Sequence, residues 1–298
     1  MSNGALITSR DPEGLCALGR FEAAYNNANL DPKRAQRLNE HGGELQDEIA
    51  KIIRDLATPN RFANEEVASG CTYPPKYTGP KPIEKQIRAI AKIFNLDPSD
   101  ALEYAKNLPE RPEGAEGWFA IPSSEALARK HFADLTDPAE QYCAGLGLMY
   151  AKIATSRLFY NHCEGKITAV RLRLVIRTAE ALAKIAETQN GDILIIAAQL
   201  GFHHRGESVR LARDKFVANE FGLGSLALGS ITLTHPRRFV SMEKLNMNCP
   251  GDEFRSVSDG DFDKAPFFAF YDGWFRFGTD RVGYACEDYG SASGFLPQ

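Results

Sequence analysis

The sequence predicts an α+β protein, with an α/β arrangement as the alternative. A helical region is expected over residues 1–114 and a mixed unit of strands and helices over residues 115–298. Three observations predict this class. Apolar residues recur with the period of a helix in the first third of the chain. From Trp118 onward, short apolar runs alternate with helical patterns, and Asp272-Gly273 joins two aromatic runs in the manner of a β-hairpin.

The composition is that of an ordinary globular protein. The 298 residues are 43% hydrophobic and 25% charged, with a net charge of −4. This balance argues against a disordered chain and against attraction of nucleic acid by the protein as a whole. No apolar run approaches the ~20 residues that span a bilayer. The first ten residues lack the basic start and apolar centre of a secretion signal, so we expect a cytoplasmic protein with no membrane partner.

The cysteines are scattered and show no metal-binding spacing. No two of them form a Cys-x-x-Cys pair, so we expect reduced, mostly buried thiols and no metal site. The six cysteines are Cys16, Cys71, Cys143, Cys163, Cys249 and Cys286.

Helices dominate the region before residue 115. Four Asp-Pro pairs predict helix starts, because Asp can cap a helix and Pro fits its first turn. Three of these pairs, Asp11-Pro12, Asp31-Pro32 and Asp97-Pro98, lie in this region, and the fourth, Asp137-Pro138, lies in the mixed unit. Apolar stripes at helical spacing run over residues 45–56 and 83–94. A segment rich in Pro and Gly at 108–117 separates this region from the mixed unit and predicts the domain boundary.

The mixed unit begins with a strand at Trp118–Ile121 and has a second strand at 192–198. Helices are expected at roughly 123–133, 138–158, 168–188 and 206–219. Residues 226–234 fit either a strand or a buried helix. In the hairpin, pairing across Asp272-Gly273 puts four phenylalanines on one face, which we expect to be core: Phe268, Phe270, Phe275 and Phe277.

The strongest candidate site is the sequence His203-His204-Arg205-Gly206-Glu207. It follows an apolar run that ends at Gly201 and precedes a helical pattern. A strand that delivers such groups to the start of a helix favours binding of an anion. His203 or His204 would act as acid or base, with Glu207 as an orienting group or a further base. Arg205 would bind the anion, and Gln199 is a further candidate for substrate binding.

Two later segments supply additional candidates. If 226–234 is a strand parallel to 192–198, His235 and Arg237 share the pocket of the histidine motif. If it is a helix, this argument fails. Asp252 and Glu253 follow Leu245-Asn-Met-Asn, a possible strand, and would act as catalytic carboxylates or bind a divalent cation. Solvated carboxylates in a turn are the alternative interpretation.

The second unit resembles a group of uncharacterised bacterial proteins. The segments that carry the resemblance are 116–122, 199–210, 220–224, 233–236, 251–254 and 289–298. It covers about residues 115–298 and implies one coherent C-terminal unit. It implies no activity, cofactor or partner.

Three classes of function remain open at this point. The first is an intracellular hydrolase or transferase that binds a small anionic, phosphate-bearing substrate at the histidine motif. The second is a non-catalytic module that binds nucleic acid or another protein. It would bind nucleic acid through Arg171, Arg173 and Arg177, with Tyr271 and Trp274 as a stacking surface. The third is a structural subunit that associates through its N-terminal helices. Cofactor and oligomeric state are left open by the sequence.

Overall fold

The computed structural model describes residues 8–57, 62, 64–241, 244–257 and 260–297. The chain forms two compact units, Met1–Asn60 and Arg61–Gln298. The described residues contain ten α-helices and ten strands in one mixed sheet, so the predicted α+β class is confirmed. No helix in the described ranges is long and apolar enough to cross a membrane.

Three helices lie within the described residues of the first unit. They are α1 (Pro12–Asn27), α2 (Pro32–Glu40) and α3 (Gly42–Ala57). The first two begin at Asp-Pro pairs as predicted, and the Asp31 carboxylate accepts hydrogen bonds from the N–H groups of Lys33 and Arg34. On α3, Ile52 and Ile53 remain 46% and 47% exposed. The apolar stripe that predicted this helix is therefore incompletely covered.

The second unit contains seven helices within the described residues. They are α4 (Ile83–Phe94), α5 (Ser99–Tyr104), α6 (Ser124–His131), α7 (Pro138–Ser156), α8 (Ile176–Gln189), α9 (Val209–Lys215) and α10 (Ser225–Thr234). Two boundaries differ from the prediction. α8 begins at Ile176 rather than near residue 168, because residues 172–174 pair as a strand. α9 is shorter than expected and begins at Val209.

The strands of the sheet belong to this unit. They are β1 (Gly117–Pro122), β2 (Phe159–Asn161), β3 (Leu172–Leu174), β4 (Ile193–Arg205), β5 (Glu220–Gly222), β6 (Asn246–Asn248), β7 (Asp252–Phe254), β8 (Lys264–Tyr271), β9 (Trp274–Arg281) and β10 (Tyr289–Phe295). The main order is β1-β4-β10-β6-β8-β7-β3, and β9 pairs with β8 and β2. β10 lies between β4 on one side and β6 with β5 on the other.

The hairpin of β8 and β9 confirms the sequence prediction. Phe268 faces Phe277, and Phe270 faces Phe275 across the turn. Both turn residues, Asp272 and Gly273, have positive φ angles of 52° and 80°, as a type I′ turn requires. Three of the four phenylalanines are fully buried, and Phe270 is partly buried.

Residues 64–114 belong to the larger unit, whereas the sequence pattern grouped them with the preceding helices. The apolar stripe of α4 is buried, and the helix packs along β1. The Gln86 side chain donates to the carbonyl of Trp118 and accepts from the N–H of Ala120. Because β1 is at the edge of the sheet, Gln86 continues its hydrogen bonding where another strand would pair. Independent folding of residues 115–298 stays a prediction.

Candidate functional site

The histidine motif lies within a strand rather than in a loop. β4 continues through Arg205, and β10 pairs with it through Ser291 opposite His204 and Gly290 opposite Arg205. Gly201 has a φ of 100°, and a β-carbon on Gly290 would lie 1.9 Å from its carbonyl oxygen. The two backbones approach so closely that side chains are excluded from both positions. Gly201, which ends the apolar run in the sequence, therefore marks an irregularity inside β4.

Gln199 stabilises this irregular part of the strand. Its amide nitrogen donates to the carbonyl of Ser291 and to the Ser293 hydroxyl, at 2.8 and 2.9 Å. Its amide oxygen accepts from the N–H groups of Gly201 and His203, at 2.7 and 3.2 Å. Both donors and both acceptor positions of the amide are used within the protein. No part of this side chain is left to bind a substrate in the observed arrangement.

His204 lies between two carboxylates in the interior. Its Nδ1 is 2.8 Å from Glu207 Oε2 and its Nε2 is 2.9 Å from Glu220 Oε1. Lys215 Nζ donates to the other oxygen of Glu207 at 2.7 Å, and Ser293 Oγ donates to Glu220 at 2.5 Å. His204 and Glu220 are 3% and 2% exposed. Both ring nitrogens are therefore occupied by structural partners.

The electrostatics of this group favour a charged histidine. Burial lowers the pKa of His204, but the hydrogen bonds and charges of Glu207 and Glu220 outweigh it and raise the pKa to about 9. Burial raises the pKa of each carboxylate, yet the contacts with His204 leave both values below the ordinary one. His204 is thus a permanent cation near neutral pH, and not a group poised to exchange protons.

His203 and Arg205 face outward from the same strand end. His203 is exposed, and Arg205 lies with its guanidinium 4.2 Å from the ring centroid of Phe202. Arg205 Nε donates to the carbonyl of Ser69. The following helix, α9, has only seven residues, and its first turn is capped by Ser208 Oγ. The motif therefore does not open onto a long, uncapped helix, and anion binding here stays a prediction.

His235 and Arg237 do not join the histidine motif through parallel strands. Residues 225–234 form the buried helix α10, so the geometric condition for a shared pocket is not met. His235 is buried and its Nε2 accepts from the Lys81 N–H at 3.0 Å. Burial lowers its pKa to about 4. Arg237 is exposed at the surface.

Sequence reasoning missed the buried arginine next to these residues. Arg238 is 1% exposed and donates to the carbonyls of Leu200 and Leu245, at 2.9 and 2.5 Å. Its guanidinium carbon lies 4.2 Å from the centroid of the Tyr73 ring, in cation–π contact. The pair Arg237-Arg238 gave no signal to tell the exposed residue from the buried one.

Asp252 and Glu253 point in different directions. Asp252 is fully buried, and its carboxylate accepts from the Tyr142 hydroxyl at 2.8 Å and from the Ser225 N–H at 2.7 Å. It thereby caps α10 from another element. Burial raises its pKa to about 6, against the hydrogen bonds of Ser225 and Tyr142. Glu253 is partly exposed and pairs with Arg173 at 2.8 Å.

The described contacts do not bring Asp252 or Glu253 to the histidine motif.

Two of the three arginines of the alternative nucleic-acid surface already have partners within the protein. Arg173 binds Glu253, and Arg177 donates to the carbonyl of Val217. The Tyr271 hydroxyl donates to Asp288, while Trp274 is 39% exposed. A continuous arginine and aromatic face is therefore not observed among these residues.

A cavity of about 320 Å³ lies between α6, α7, α8 and α10. We call it the apolar cavity. Its walls include Ile121, Tyr142, Leu174, Leu182, Leu194 and Leu226. This volume falls within the range of small-molecule sites, ~300–1,000 Å³. The sequence gave no sign of it, because its wall residues come from separate segments and each resembles ordinary core.

The apolar cavity has a negative electrostatic character. Within the described parts of the chain, Glu125, at its rim, is the only charged residue that lines it. The helices α6, α7 and α10 begin beside the cavity. In the first turn of each, a backbone N–H group already donates a hydrogen bond to a side chain, namely Ser123, Asp137 and Asp252 respectively. Two of these three groups are carboxylates, which offset the positive ends of the helix dipoles. An anionic ligand would therefore gain little and would meet the charges of Glu125 and Asp252.

Among the described residues, no group of three or more His, Cys, Asp or Glu side chains is arranged to hold a metal ion. No disulfide bond joins any two cysteines in the part of the chain that the structure describes. Comparisons with protein-family models, with curated proteins and with solved structures gave no match to this chain.

Proposed function

We propose that this protein binds a small, uncharged and mainly apolar molecule in the apolar cavity. The observation that carries the proposal is the cavity of about 320 Å³, lined by aliphatic side chains and by Tyr142. Cavities of this size and character are the usual sites of small-molecule binding. Burial of apolar surface would supply most of the affinity.

The Tyr142–Asp252 hydrogen bond supports a fixed geometry for the wall of this site. Tyr142 lines the cavity, and its hydroxyl donates to a carboxylate that is itself bound to the start of α10. Asp252 is fully buried, so it acts here by holding Tyr142 and α10 in position. The proposal is of binding rather than of a reaction.

Two dyes that differ by one sulfonate group test the proposal. N-phenyl-1-naphthylamine is neutral, and 1-anilinonaphthalene-8-sulfonate adds a negative charge to the same rings. We expect the neutral dye to fluoresce on binding in the apolar cavity and the anionic dye to bind there at least about tenfold more weakly, because its charge would be desolvated without a partner. Equal affinity of the two dyes at the site that Ala183→Phe blocks, or no response to the neutral one, would overturn the proposal.

A matched pair of substitutions locates the dye. Ala183 is exposed at the mouth of the apolar cavity, so Ala183→Phe should fill it with little cost to the core. Glu180→Phe adds the same side chain to α8 away from the cavity lining. We expect Ala183→Phe alone to weaken binding of N-phenyl-1-naphthylamine by about tenfold or more. Equal binding by both variants would place the dye elsewhere.

The enzyme interpretation of the histidine motif remains a separate proposal. It is supported by the outward positions of His203 and Arg205 and would concern a phosphate-bearing substrate. Inorganic phosphate is the simplest probe. Arg205→Ala should weaken phosphate binding by about one to two decades while leaving the melting temperature nearly unchanged. Failure of the wild-type protein to bind phosphate at millimolar concentration would remove this proposal.

A further inference from the structure

A second cavity lies on the other side of α8. It has a volume of about 480 Å³, and we call it the aromatic cavity. Its lining includes Tyr104, Trp118, Lys184, Ile185, Thr188 and Phe295. Ala183 of α8 lines the first cavity and Lys184 of α8 lines the second, so the helix separates the two cavities. Ligands could therefore be accommodated at the two places independently.

The walls of the aromatic cavity are suited to a flat ring. Phe295 is buried and packs with Ala197, and Trp118 lies partly buried against them. Aromatic side chains contribute large apolar contacts and favour stacked or edge-to-face partners. Gln189 and Ile195 also line this cavity and connect α8 to β4. The Gln189 amide donates to the Ile195 carbonyl and accepts from the Ile195 N–H, each at 2.7 Å. These contacts keep α8 at a fixed distance from β4.

The charge of the aromatic cavity is opposite to that of the apolar one. Lys184 is the only charged residue among the described ones that line it. Its ammonium group has no hydrogen-bond or ion-pair partner among the described residues, and the side chain is exposed at the rim. A single free cation beside aromatic walls complements a ring that carries one negative charge. A polyphosphate would bring more negative charge than this lining balances.

We propose that the aromatic cavity binds a small aromatic carboxylate. The ring would lie against Trp118 and Phe295, and the carboxylate would pair with Lys184. This site is distinct from the apolar cavity and does not depend on the function proposed there. The two cavities would then select ligands of different charge on either side of one helix.

Calorimetric titration with 2-naphthoate tests the proposal, with 2-naphthamide as the uncharged comparison. Lys184→Met should weaken 2-naphthoate binding about fivefold, the effect of an exposed ion pair, and should leave 2-naphthamide binding unchanged. Lys130→Met, at an exposed position of α6, is the matched control and should bind 2-naphthoate like the wild type. No binding of 2-naphthoate, or equal loss in both lysine variants, would overturn the proposal.

Trp118 reports where the ligand binds. The chain has two tryptophans, so Trp274→Phe leaves Trp118 as the single fluorophore. We expect 2-naphthoate to quench its emission with the same dissociation constant that calorimetry gives. Ala183→Phe should not change this value, because that substitution fills only the apolar cavity. Binding without a change in Trp118 emission, or loss of binding in Ala183→Phe, would also contradict the assignment.

Discussion

Two adjacent histidines illustrate how strongly the surroundings of a residue determine whether its side chain has a structural role or is available to solvent. His204 points inward and is held by Glu207 and Glu220, whereas His203 points outward and is exposed. The alternation of side chains along β4 separates them, because successive residues of a strand face opposite sides. One is therefore part of the structural interior, and the other is available to solvent.

Replacement of each histidine should have very different effects on stability. His204→Ala leaves Glu207 and Glu220 buried without their shared cation, which we expect to cost about 3–5 kcal/mol of unfolding free energy. His203→Ala should change it by less than about 0.5 kcal/mol, as at other surface positions. Urea unfolding of both variants measures the difference. Similar losses of unfolding free energy in the two variants would show that the contacts of His204 with Glu207 and Glu220 contribute little to stability.

The raised pKa of His204 also predicts a pH dependence. A group whose pKa rises on folding stabilises the protein fully below its unfolded pKa of 6.5 and loses this effect as pH rises through about 9. We expect the unfolding free energy to fall by on the order of 3 kcal/mol between pH 6.5 and pH 10. The charges that face His204 include Glu207, Glu220 and, through Glu207, Lys215. The fall should be absent in His204→Ala, and its persistence there would assign it to another group.

The chemistry of this residue cluster was predictable from the sequence, but its role was not. Two histidines beside Arg205 and Glu207 indicated titratable groups after an apolar strand. One of the two carboxylates that raise the pKa of His204, Glu220, is sixteen residues away and comes from β5. Nothing in the local pattern indicates which carboxylate will face which histidine. The same applies to Asp252, whose partner Tyr142 lies on α7.

At the level of elements, glutamine side chains complete the hydrogen bonding of the sheet. Gln86 does so for β1, and Gln189 does so for β4 beyond the point where β10 ends. Each amide presents one donor and one acceptor at the spacing of a peptide group. The open strand edges are covered by helices as a result, which limits pairing with other chains.

Removal of one such amide should weaken the sheet. Gln189→Leu leaves the N–H and carbonyl of Ile195 without their partners, and we expect a loss of about 2–4 kcal/mol in unfolding free energy. Glu187→Leu introduces the same side chain at an exposed position of α8 and should be nearly neutral. Thermal and urea unfolding compare the two. A neutral Gln189→Leu would mean that solvent replaces the lost bonds.

Elements with a local signal were predicted well. The hairpin follows from Asp272-Gly273 and the alternation of phenylalanines, and both are properties of adjacent residues. α10 remained ambiguous because all its residues except Leu233 are buried, which removes the polar face that distinguishes a helix. The start of α8 was misplaced because β3 is only three residues long and is defined by pairing with β7.

For the molecule as a whole, the contacts place the division at Asn60 and Arg61. The sequence indicated a boundary near Gly117, where strand-like patterns begin. A change of pattern does not reveal that α4 packs on β1, since that contact links segments about 30 residues apart. The two cavities beside α8 escaped prediction for the same reason, because each is assembled from distant segments.

Truncated chains test the division directly. We expect residues 61–298 to melt cooperatively at a temperature close to that of the same unit in the full chain. Residues 115–298 lack Ile87, Ile90 and Phe94, which are fully buried, and should melt at a lower temperature. Differential scanning calorimetry compares the fragments. Equal melting temperatures would show that α4 adds no stability and would favour the boundary near residue 115.

The place of β10 in the sheet has a consequence for the order in which the protein matures. β1 and β4 can pair as soon as both have left the ribosome, and β6, β8 and β9 can do so later. These two groups share no strand until residues 289–295 emerge and pair with both. During synthesis β4 and β6 therefore present open edges, which are prone to pairing with neighbouring nascent chains. β10 lies in the interior of the sheet but is the last of the described strands along the chain. The yield of folded protein should therefore depend on how quickly this segment follows the others.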